Sequence, residues 1–474
     1  MIPFGRMLSL LTTWAVHRFS VNTTKENSMS PRSTESIVPH SALINPNAAG
    51  IDVGATELYV AVPTDRCEKP VRCFSTFTQD VHALAEWLKS CKVSTVAMES
   101  TGVYWIPVFQ ILADHGLTVC LVNARHVKNV PGRKTDVTDC QWLQFLHSVG
   151  LLRGSFRPPQ QVCALRTILR HRDAMIKLTN VHIQHMQKAM TQMNIQLHNV
   201  ISDITGTTGL AIIDAILAGE RDPETLAAFR DARVKSSCEI IAKSLVGDYR
   251  PELLFTLRQS LESYRHLRKQ IVESDETIKN LLANFDSCVD VEEKPLPDTQ
   301  KKRRKKDDPH QMRQELYRIT GVDLTEIPGL QTTSAYTILA EIGHDVSSFS
   351  SAKHFASWMG LCPNNRVSGG RVLSSHTKPV ASRAAAALRM AATTLLRSQT
   401  ALGHYYRRMR TRLGAPQAIT ATAHKLARII YQMLKTKTPF NQTLQSEYEQ
   451  QNIRRRQIRL ETQAKSLGFA LVPL

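Results

Sequence analysis

Two long hydrophobic repeats constrain the fold of this chain more than any other feature of its sequence. The first runs through positions 165, 169, 172, 176, 179, 183, 186, 190, 193, 197 and 200, and nine of these eleven positions are apolar. The second runs through positions 254, 257, 261, 264, 268, 271, 275, 278, 282 and 285, where only Arg268 and Asp275 are charged. Alternating steps of four and three are typical of a coiled-coil seam, because they keep one side of a helix facing its partner. We therefore predict an antiparallel helical hairpin about 50 Å long, at about 1.5 Å per residue, that is suited to dimerisation.

The segment from Ala48 to about Ser155 has a different pattern, in which short apolar stretches alternate with amphipathic ones. Three predicted strands come first, and alternating helices and strands follow them. This alternation is typical of an α/β layer architecture. The order of the elements indicates a ribonuclease H-like domain.

Changes of pattern divide the chain into six predicted parts. The start is rich in Ser, Thr and Asn and is predicted to be disordered. The run KKRRKK at 301–306 lies in a predicted flexible linker and either touches phosphate or is only solvated. The parts are a disordered extension over 1–47, the α/β domain over 48–155, a helical coiled-coil region over 156–288, the basic linker over 289–320, a mainly α-helical domain over 321–440 and a basic, weakly ordered tail over 441–474.

The positive charge is concentrated near the C-terminal end. The formal net charge is +19, and residues 351–474 contain 20 Lys and Arg but only 3 acidic residues. Such a field attracts polyanions, and contact with phosphates releases counterions, so nucleic acid is the expected partner. The nine cysteines form no CxxC pair, and no apolar run reaches the length of a membrane span. We therefore expect a cytoplasmic protein without disulfides and without a membrane partner.

Four acidic residues in the first half of the chain are candidate metal ligands. Asp52 lies inside the apolar strand GIDVG, where a lone carboxylate would be costly, and Glu99 ends the apolar strand in VAMES. Asp136 and Asp139 in GRKTDVTD lie three residues apart, so a helix would present both on one face. Taken singly, such residues are usually turn, cap or surface residues. Taken together, they are a carboxylate set that suits Mg²⁺ or Mn²⁺ and phosphodiester chemistry.

Two basic residues and a glycine are candidate phosphate contacts. Arg133 and Lys134 precede the acidic pair and either hold a phosphate, balance charge or are ordinary surface bases. In LTEIPGLQTTSAYTILAEIG, a Pro-Gly turn between two helical stretches resembles a helix-hairpin-helix. Gly329 and the amides after it would then bind a DNA phosphate at a helix N-terminus. A simple connector between helices has the same signature.

A serine in the C-terminal half is a candidate nucleophile. Ser368 precedes two glycines in VSGG, and Arg366, Arg371 and Lys378 lie nearby in the sequence. We predict a flexible cationic loop in which the hydroxyl attacks a phosphodiester while the basic residues stabilise the developing charge. A serine before two glycines is also an ordinary turn residue, and the two serines of the following VLSSH are rival candidates.

Six segments in a fixed order resemble the DEDD transposases of insertion-sequence family one-ten and the Piv-type DNA invertases. They are GIDVG, MESTGVYW, GRKTDVTD, the IPGL segment, the GLCPNNRVSGG segment and HKLARIIYQML, and the resemblance covers roughly residues 48 to 440. It implies a RuvC-like N-terminal domain, a helical coiled-coil middle and a C-terminal domain with a catalytic serine. It also implies a bacterial, nucleoid-associated DNA recombinase.

The resemblance assigns roles to the candidate residues. Asp52, Glu99, Asp136 and Asp139 would bind magnesium, and Ser368 would become covalently joined to a DNA phosphate. The two sites would come together between protomers of a dimer or a tetramer. A structured non-coding RNA encoded by the element would pair with target and donor DNA, so that base pairing selects the sequence.

Two other functions fit parts of the same pattern. A metal-dependent junction resolvase or nuclease would use the four acids but attack the phosphate with water, so no serine-linked adduct would form. A non-catalytic nucleic-acid-binding protein would keep the fold as a scaffold, and removal of the acids would leave DNA rearrangement unchanged.

Overall fold

The computed structural model describes residues 43–100, 102–123, 136–296, 310–380 and 382–472. The chain divides into two compact units, of which the first ends at Phe156 and the second begins at Arg157. Arg133, Lys134 and the KKRRKK run lie outside the described residues.

A five-stranded mixed sheet forms the centre of the first unit. Its strands are β1 (Ala48–Val53), β2 (Glu57–Ala61), β3 (Val71–Ser75), β4 (Thr95–Glu99) and β5 (Thr118–Val122). The strand order is β3-β2-β1-β4-β5, with antiparallel pairing among the first three and parallel pairing from β1 to β4 and from β4 to β5. The carboxyl ends of β1, β3, β4 and β5 therefore lie at one end of the sheet, which we call the carboxyl edge. The predicted α/β architecture is confirmed.

Helices cover both faces of this sheet. They are α1 (Thr78–Ser90), α2 (Trp105–Asp114) and α3 (Asp136–Ser148). Successive side chains of a strand point to opposite faces, and Ile51 and Met98 belong to the apolar core shared with α1 and α2. The alternate residues, Gly50 among them, point toward α3. Helix α1 packs because its buried residues recur with helical spacing, at Val81, Leu84, Ala85 and Leu88.

The second unit begins with the predicted helical hairpin. Its helices, with the short helices between its two arms, are α4 (Gln160–Gln192), α5 (Leu197–Val200), α6 (Thr207–Ala218), α7 (Pro223–Ala227), α8 (Cys238–Ser244) and α9 (Pro251–Ala283). The arms α4 and α9 have 33 residues each and pack along each other. They are antiparallel, because Arg250 donates to the Gln192 carbonyl at one end and Arg172 pairs with Asp275 nearer the other. The supercoil of a coiled coil stays a prediction.

Three of the four residues that interrupt the two hydrophobic repeats have partners in the hairpin. Arg172 interrupts the first repeat, Asp275 interrupts the second, and the Arg172 guanidinium donates to the Asp275 carboxylate. Thr179, the other exception in the first repeat, is buried and donates its hydroxyl to the Met175 carbonyl at 2.8 Å. A paired polar group inside an apolar seam favours one register of the two helices over others.

Beyond the hairpin, the second unit is mainly helical, as predicted. Its elements are α10 (His310–Thr320), α11 (Thr332–Ile342), α12 (Ala352–Trp358), β6 (Arg366–Ser368), β7 (Arg371–Ser374), α13 (Arg383–Thr394), α14 (Ala401–Leu413), α15 (Ala415–Thr436) and α16 (Gln442–Ser466), with 3-10 turns at Leu324–Glu326 and Leu395–Arg397. No helix within the described ranges is both long enough and apolar enough to cross a membrane.

Two segments are more regular than the sequence suggested. The last part of the predicted linker over 289–320 forms α10, where the buried Arg313 pairs with the buried Asp323. The predicted weakly ordered tail over 441–474 contains the 25-residue helix α16. Its sequence holds neither Pro nor Gly and is rich in Gln, Glu and Arg, which favour helices even without an apolar face.

Candidate active site

Asp52 and Glu99 occupy neighbouring positions on two paired strands. Strands β1 and β4 run parallel with Ile51 opposite Met98, so the next step of the register sets Asp52 beside Glu99. Opposite residues of adjacent strands point to the same face, and the strands lie about 4.8 Å apart. Both acids are half-buried. The two side chains therefore lie together at the carboxyl edge, on the face that α3 covers.

Helix α3 has its first turn at the same edge. A Cβ on Gly50 would come within 2.3 Å of both the Cys140 carbonyl oxygen and the Gln144 nitrogen, so this glycine lets α3 approach β1 closely. Toward the amino end of β4, the Thr95 hydroxyl bonds with Nε2 of His147 at 2.9 Å. The helix thus runs away from the carboxyl edge, and the residues before Cys140 lie at that edge.

The buried thiol of Cys140 lies near two of the acids. Burial, together with the negative charges of Asp52 and Asp139, raises the pKa of this thiol to about 12. A nearby negative charge raises the pKa of a thiol because it disfavours the thiolate, and the effect is strong only at short range. Asp52 on β1 and Asp139 on α3 are therefore both close enough to this thiol to affect its pKa.

The donor chemistry at this corner fits a hard divalent cation. Carboxylate oxygens are the ligands that Mg²⁺ and Mn²⁺ prefer, and Asp52, Glu99 and Asp139 all reach the carboxyl edge. Asp136 is the first residue of α3, and its side chain is outside the described residues. Among the side chains that the structure describes, no three His, Cys, Asp or Glu are arranged to hold a metal ion. The structure thus brings three acids to one corner without a closed set of ligands.

Ser368 lies at the tip of a short β-hairpin, and the prediction of a flexible loop was wrong. Strands β6 and β7 are antiparallel, with Ser368 opposite Arg371. Gly369 and Gly370 form the turn, and their φ angles of 54° and 75° lie in the left-handed region that favours glycine. Two such residues suit the tight turn that connects hairpin strands, so they order the segment.

The two faces of this hairpin differ in character. Ser368 and Arg371 lie opposite each other and so share a face, and Arg366 precedes them on the far side of a register irregularity between Arg366 and Val367. All three are exposed. Val367 and Val372 pair on the other face, and each is 59% exposed. The Ser368 hydroxyl therefore shares its face with the Arg371 guanidinium.

The other predicted phosphate contacts are not gathered around Ser368. Lys378 is exposed in the segment between β7 and α13. Gly329 has a φ of 89°, and a Cβ there would come within 2.8 Å of the Ala391 carbonyl oxygen. Close packing against α13 thus explains this glycine. Its contact with a DNA phosphate stays a prediction.

Sequence reasoning missed an ion-pair cluster at the base of the α4–α9 hairpin. Glu341, in the last turn of α11, is 8% exposed and accepts from Arg170 at 2.9 Å. Arg166 donates to two backbone carbonyls of the same turn at 3.2 and 2.6 Å. Arg383, which begins α13, donates to Asp173 of α4 at 2.9 Å. The signal available in the sequence was a glutamate inside the apolar stretch TILAEIG. These contacts fix α11 and the start of α13 to α4.

Comparisons with known proteins match two regions of the chain. The DEDD transposase model of the IS110 group, described as "Transposase", matches residues 49–195. A second model, described as "Transposase IS116/IS110/IS902 family", matches residues 323–407. No curated protein matches the chain. Among solved structures, T. thermophilus RuvC in complex with a Holliday junction substrate is similar over 23% of this chain and 98% of that one, with 15% identity and a TM-score of 0.17. A TM-score this low does not establish a common fold.

Proposed function

Because the chain belongs to the IS110 family of transposases, which cut and transfer DNA strands, we propose that it acts through two sites, an acidic metal site and a serine. The acidic site consists of Asp52, Glu99, Asp136 and Asp139, which all lie within the first matched region. The serine is Ser368, within the second. The observation that carries the proposal is the register of β1 and β4, which sets two half-buried carboxylates side by side below the first turn of α3.

We propose a ribonuclease H-like fold of the RuvC type for the first unit. The support is its topology, in which three antiparallel strands are followed by two parallel ones in the order β3-β2-β1-β4-β5. The acids stand on the central strand, at the end of its parallel neighbour and in the first turn of the helix that covers both. This distribution concentrates negative charge at one corner of an otherwise apolar sheet.

The acids of this corner would hold Mg²⁺ or Mn²⁺. When bound, the metal supplies positive charge that stabilises the attacking and leaving oxygens of a phosphodiester. The chain itself contributes the fixed negative charge that selects the ion. It also contributes the packing of α3 on Gly50, which holds Asp139 near Asp52. Both strand acids are partly buried, which limits competition from water.

Ser368 would act as the nucleophile. Its Oγ attacks phosphorus, an Oγ–P bond forms, one P–O ester bond of the DNA breaks, and the departing DNA oxygen takes up a proton. The hydroxyl proton passes to solvent. Arg371, opposite Ser368 on the hairpin, and Arg366, two residues before Ser368, would bind the non-bridging oxygens as charge accumulates on them. Attack of a second DNA hydroxyl on the adduct would reverse these bond changes and release the serine with the strands exchanged.

We also propose that a structured RNA from the element guides the protein and that the protein works as a dimer or a tetramer. Support for a polyanionic partner is the net charge of +19. Support for assembly is a set of apolar side chains on the outside of the helical hairpin, where Leu178, Val181 and Val272 are 46%, 41% and 51% exposed.

The test of the proposed function is a search for a covalent protein–DNA species on a denaturing gel. Wild-type protein and Ser368→Ala are incubated with Mg²⁺, the element's RNA and DNA carrying the element junction. We expect an adduct that is absent in Ser368→Ala and retained in Ser374→Ala and Ser375→Ala, which are matched controls on the same segment.

Other outcomes identify other chemistries. Loss of the adduct in Ser374→Ala or Ser375→Ala, with retention in Ser368→Ala, would move the nucleophile. Cleavage by all variants without any adduct would mean that water attacks and that the chain works as a RuvC-like metal-dependent nuclease or junction resolvase.

A further inference from the structure

Four exposed apolar residues project from the carboxyl edge of the sheet. Phe77 is 76% exposed, Val103 66%, Tyr104 50% and Ile106 42%. Phe77 is the N-cap residue of α1, and Tyr104 is the N-cap residue of α2. We call these four residues the apolar rim. They are not part of the core between the sheet and the two helices.

The topology puts the rim beside the acids. Strand β3 ends at Ser75, which pairs with Glu57 just after the turn that follows β1, and the Thr76 amide donates to the Thr56 carbonyl at 3.2 Å. Phe77 therefore lies at the same edge as the end of β1. Tyr104 follows the end of β4 by five residues, and α2 starts there. The rim thus borders the acidic corner on the side opposite α3.

The Tyr104 ring packs beside Gly102. A Cβ on Gly102, whose φ is 60°, would contact the Cδ2 and Cε2 atoms of the ring at 3.5 and 3.6 Å. The ring therefore lies close to Gly102 while half of the residue remains exposed. An aromatic ring held in this way loses little conformational freedom when a flat partner stacks on it.

The chemistry of the corner favours nucleobases as that partner. A DNA strand whose phosphate lies at the acids has bases within reach of the neighbouring surface, and those bases are flat and apolar on their faces. Carboxylates repel the other phosphates of the strand, so contacts on this side have to come from the bases. Stacking on aromatic side chains meets this requirement and tolerates any sequence, because every base has a π face.

We propose that the apolar rim stacks on unpaired bases that flank the phosphate to be cut, with Tyr104 as the principal contact. The position next to the cut phosphate rests on the proposed acidic site, whereas the stacking itself needs no metal. The rim would hold the strand in place without reading its sequence, which suits a protein that leaves sequence choice to base pairing.

The test uses the full chain and a single-stranded oligodeoxynucleotide that carries one 5-iododeoxyuridine. Irradiation followed by peptide mapping should find crosslinks at Tyr104 and Phe77. Tyr104→Ala should weaken binding of this oligonucleotide by about tenfold and remove the crosslink, whereas Tyr104→Phe should retain binding. Tyr104→Leu, which keeps an apolar side chain without a ring, should behave like Tyr104→Ala. Phe255→Ala is the matched control, because Phe255 is 59% exposed on α9, in the other unit.

Asp52→Asn separates this proposal from the proposed function. We expect it to lose cleavage and keep the Tyr104 crosslink. If Tyr104→Ala still crosslinks at other residues and binds the oligonucleotide with unchanged affinity, the proposed role of the apolar rim is wrong. This holds whatever result Asp52→Asn gives. A Tyr104→Ala protein that changes its oligomeric state and keeps its DNA affinity would identify the rim as a protein interface, which also overturns the proposal. Full cleavage by Asp52→Asn with an intact crosslink would overturn only the acidic site.

Discussion

Asp52→Asn and Glu99→Gln each remove one negative charge from the acidic corner with almost no change of volume. Because a divalent ion depends on that charge, we expect strand cleavage in Mg²⁺ to fall by at least about a hundredfold. DNA affinity should stay within about twofold, since phosphate contacts are made by basic residues. Cleavage and filter-binding assays measure the two effects. Asp65→Asn is the control, because Asp65 is an exposed acid of the same unit. An equal loss of cleavage and binding would contradict the assignment.

Gly50→Ala tests whether α3 has to lie close against β1. The new methyl group would meet backbone atoms of α3 at 2.3 Å, and backbone atoms cannot move aside as a flexible side chain can. We expect a loss of stability of about 1–3 kcal/mol, as for overpacked cores, and a loss of Mg²⁺-dependent cleavage. Thermal unfolding and cleavage assays measure both. Gly154→Ala is the control, because its Cβ would meet only the Cys120 sulfur at an ordinary 3.5 Å.

At the residue scale, the sequence singled out the candidate acids but did not show how they meet. Asp52 and Glu99 stood out because each interrupts or ends an apolar strand, which is a local property. The offset that sets them side by side depends on the pairing of β1 with β4, residues more than 40 positions apart. Gly50 was not singled out in the sequence. Its close contact with α3 follows only from the packed structure.

At the scale of elements, the Arg172–Asp275 ion pair in the helical hairpin predicts how substitutions change the stability of the protein. Asp275→Leu leaves Arg172 without its carboxylate partner, and we expect stability to fall by about 1 kcal/mol, because both groups are partly exposed. Arg172→Leu combined with Asp275→Leu should recover that loss by extending the apolar seam. Thermal unfolding followed by helical circular dichroism measures it. Asp214→Asn, which breaks a comparable ion pair with Arg265 away from the seam, should change stability less. If the double variant is no more stable than Asp275→Leu, the two residues do not act as a pair.

The glycine turn of the serine hairpin gives a second prediction at this scale. A Cβ on Gly369 or Gly370 would meet nothing within 4 Å, so only the backbone conformation resists substitution. Gly370→Val should therefore slow adduct formation several-fold, because a β-branched residue disfavours a φ of 75°. Gly369→Asn should retain the rate, since asparagine tolerates that region. The time course of adduct formation tests both variants. Equal rates in wild type and Gly370→Val would mean that the turn does not position the nucleophile.

The periodicity of the sequence predicted the long helices and missed the short strands for the same reason. A repeat of eleven positions carries a clear spacing, whereas β6 and β7 have three and four residues, too few for an alternating pattern to stand out. Helix α16 has no apolar stripe, so its helical propensity was the only available signal. The pairing of Arg172 with Asp275 required the antiparallel offset of the two arms, which neither repeat contains.

At the scale of the whole molecule, the uneven charge predicts strong dependence of DNA binding on salt. The logarithm of the binding constant should fall with the logarithm of salt concentration by about 0.9 for each phosphate contacted. Neutralising the exposed Arg454, Arg455 and Arg456 of α16 to glutamine should reduce that slope by up to about 3. Titrations at several salt concentrations measure it, with Lys92→Gln in the first unit as a control. An unchanged slope would show that these arginines do not touch phosphate.

The sequence also predicted the partner better than it predicted how the second unit is held together. Charge is a sum over residues and needs no structure, so a nucleic-acid partner followed from composition. The cluster at the base of the hairpin joins Arg170 to Glu341 across 171 positions and Asp173 to Arg383 across 210. Contacts over such separations depend on the packing of several elements at once.

The length of the α4–α9 hairpin has a mechanical consequence. Each arm has 33 residues, so at about 1.5 Å per residue a tilt of about 5° at the base moves the far end by about 4 Å. The ion-paired residues Arg170 and Asp173 lie about 15 and 20 Å along α4 from its start, where the same tilt moves atoms by only about 1–2 Å. The far end of the hairpin therefore moves further than the segment of α4 that carries these ion pairs. A force applied at the far end would therefore act on α11 and α13 through these ion pairs, with a smaller displacement and a larger magnitude.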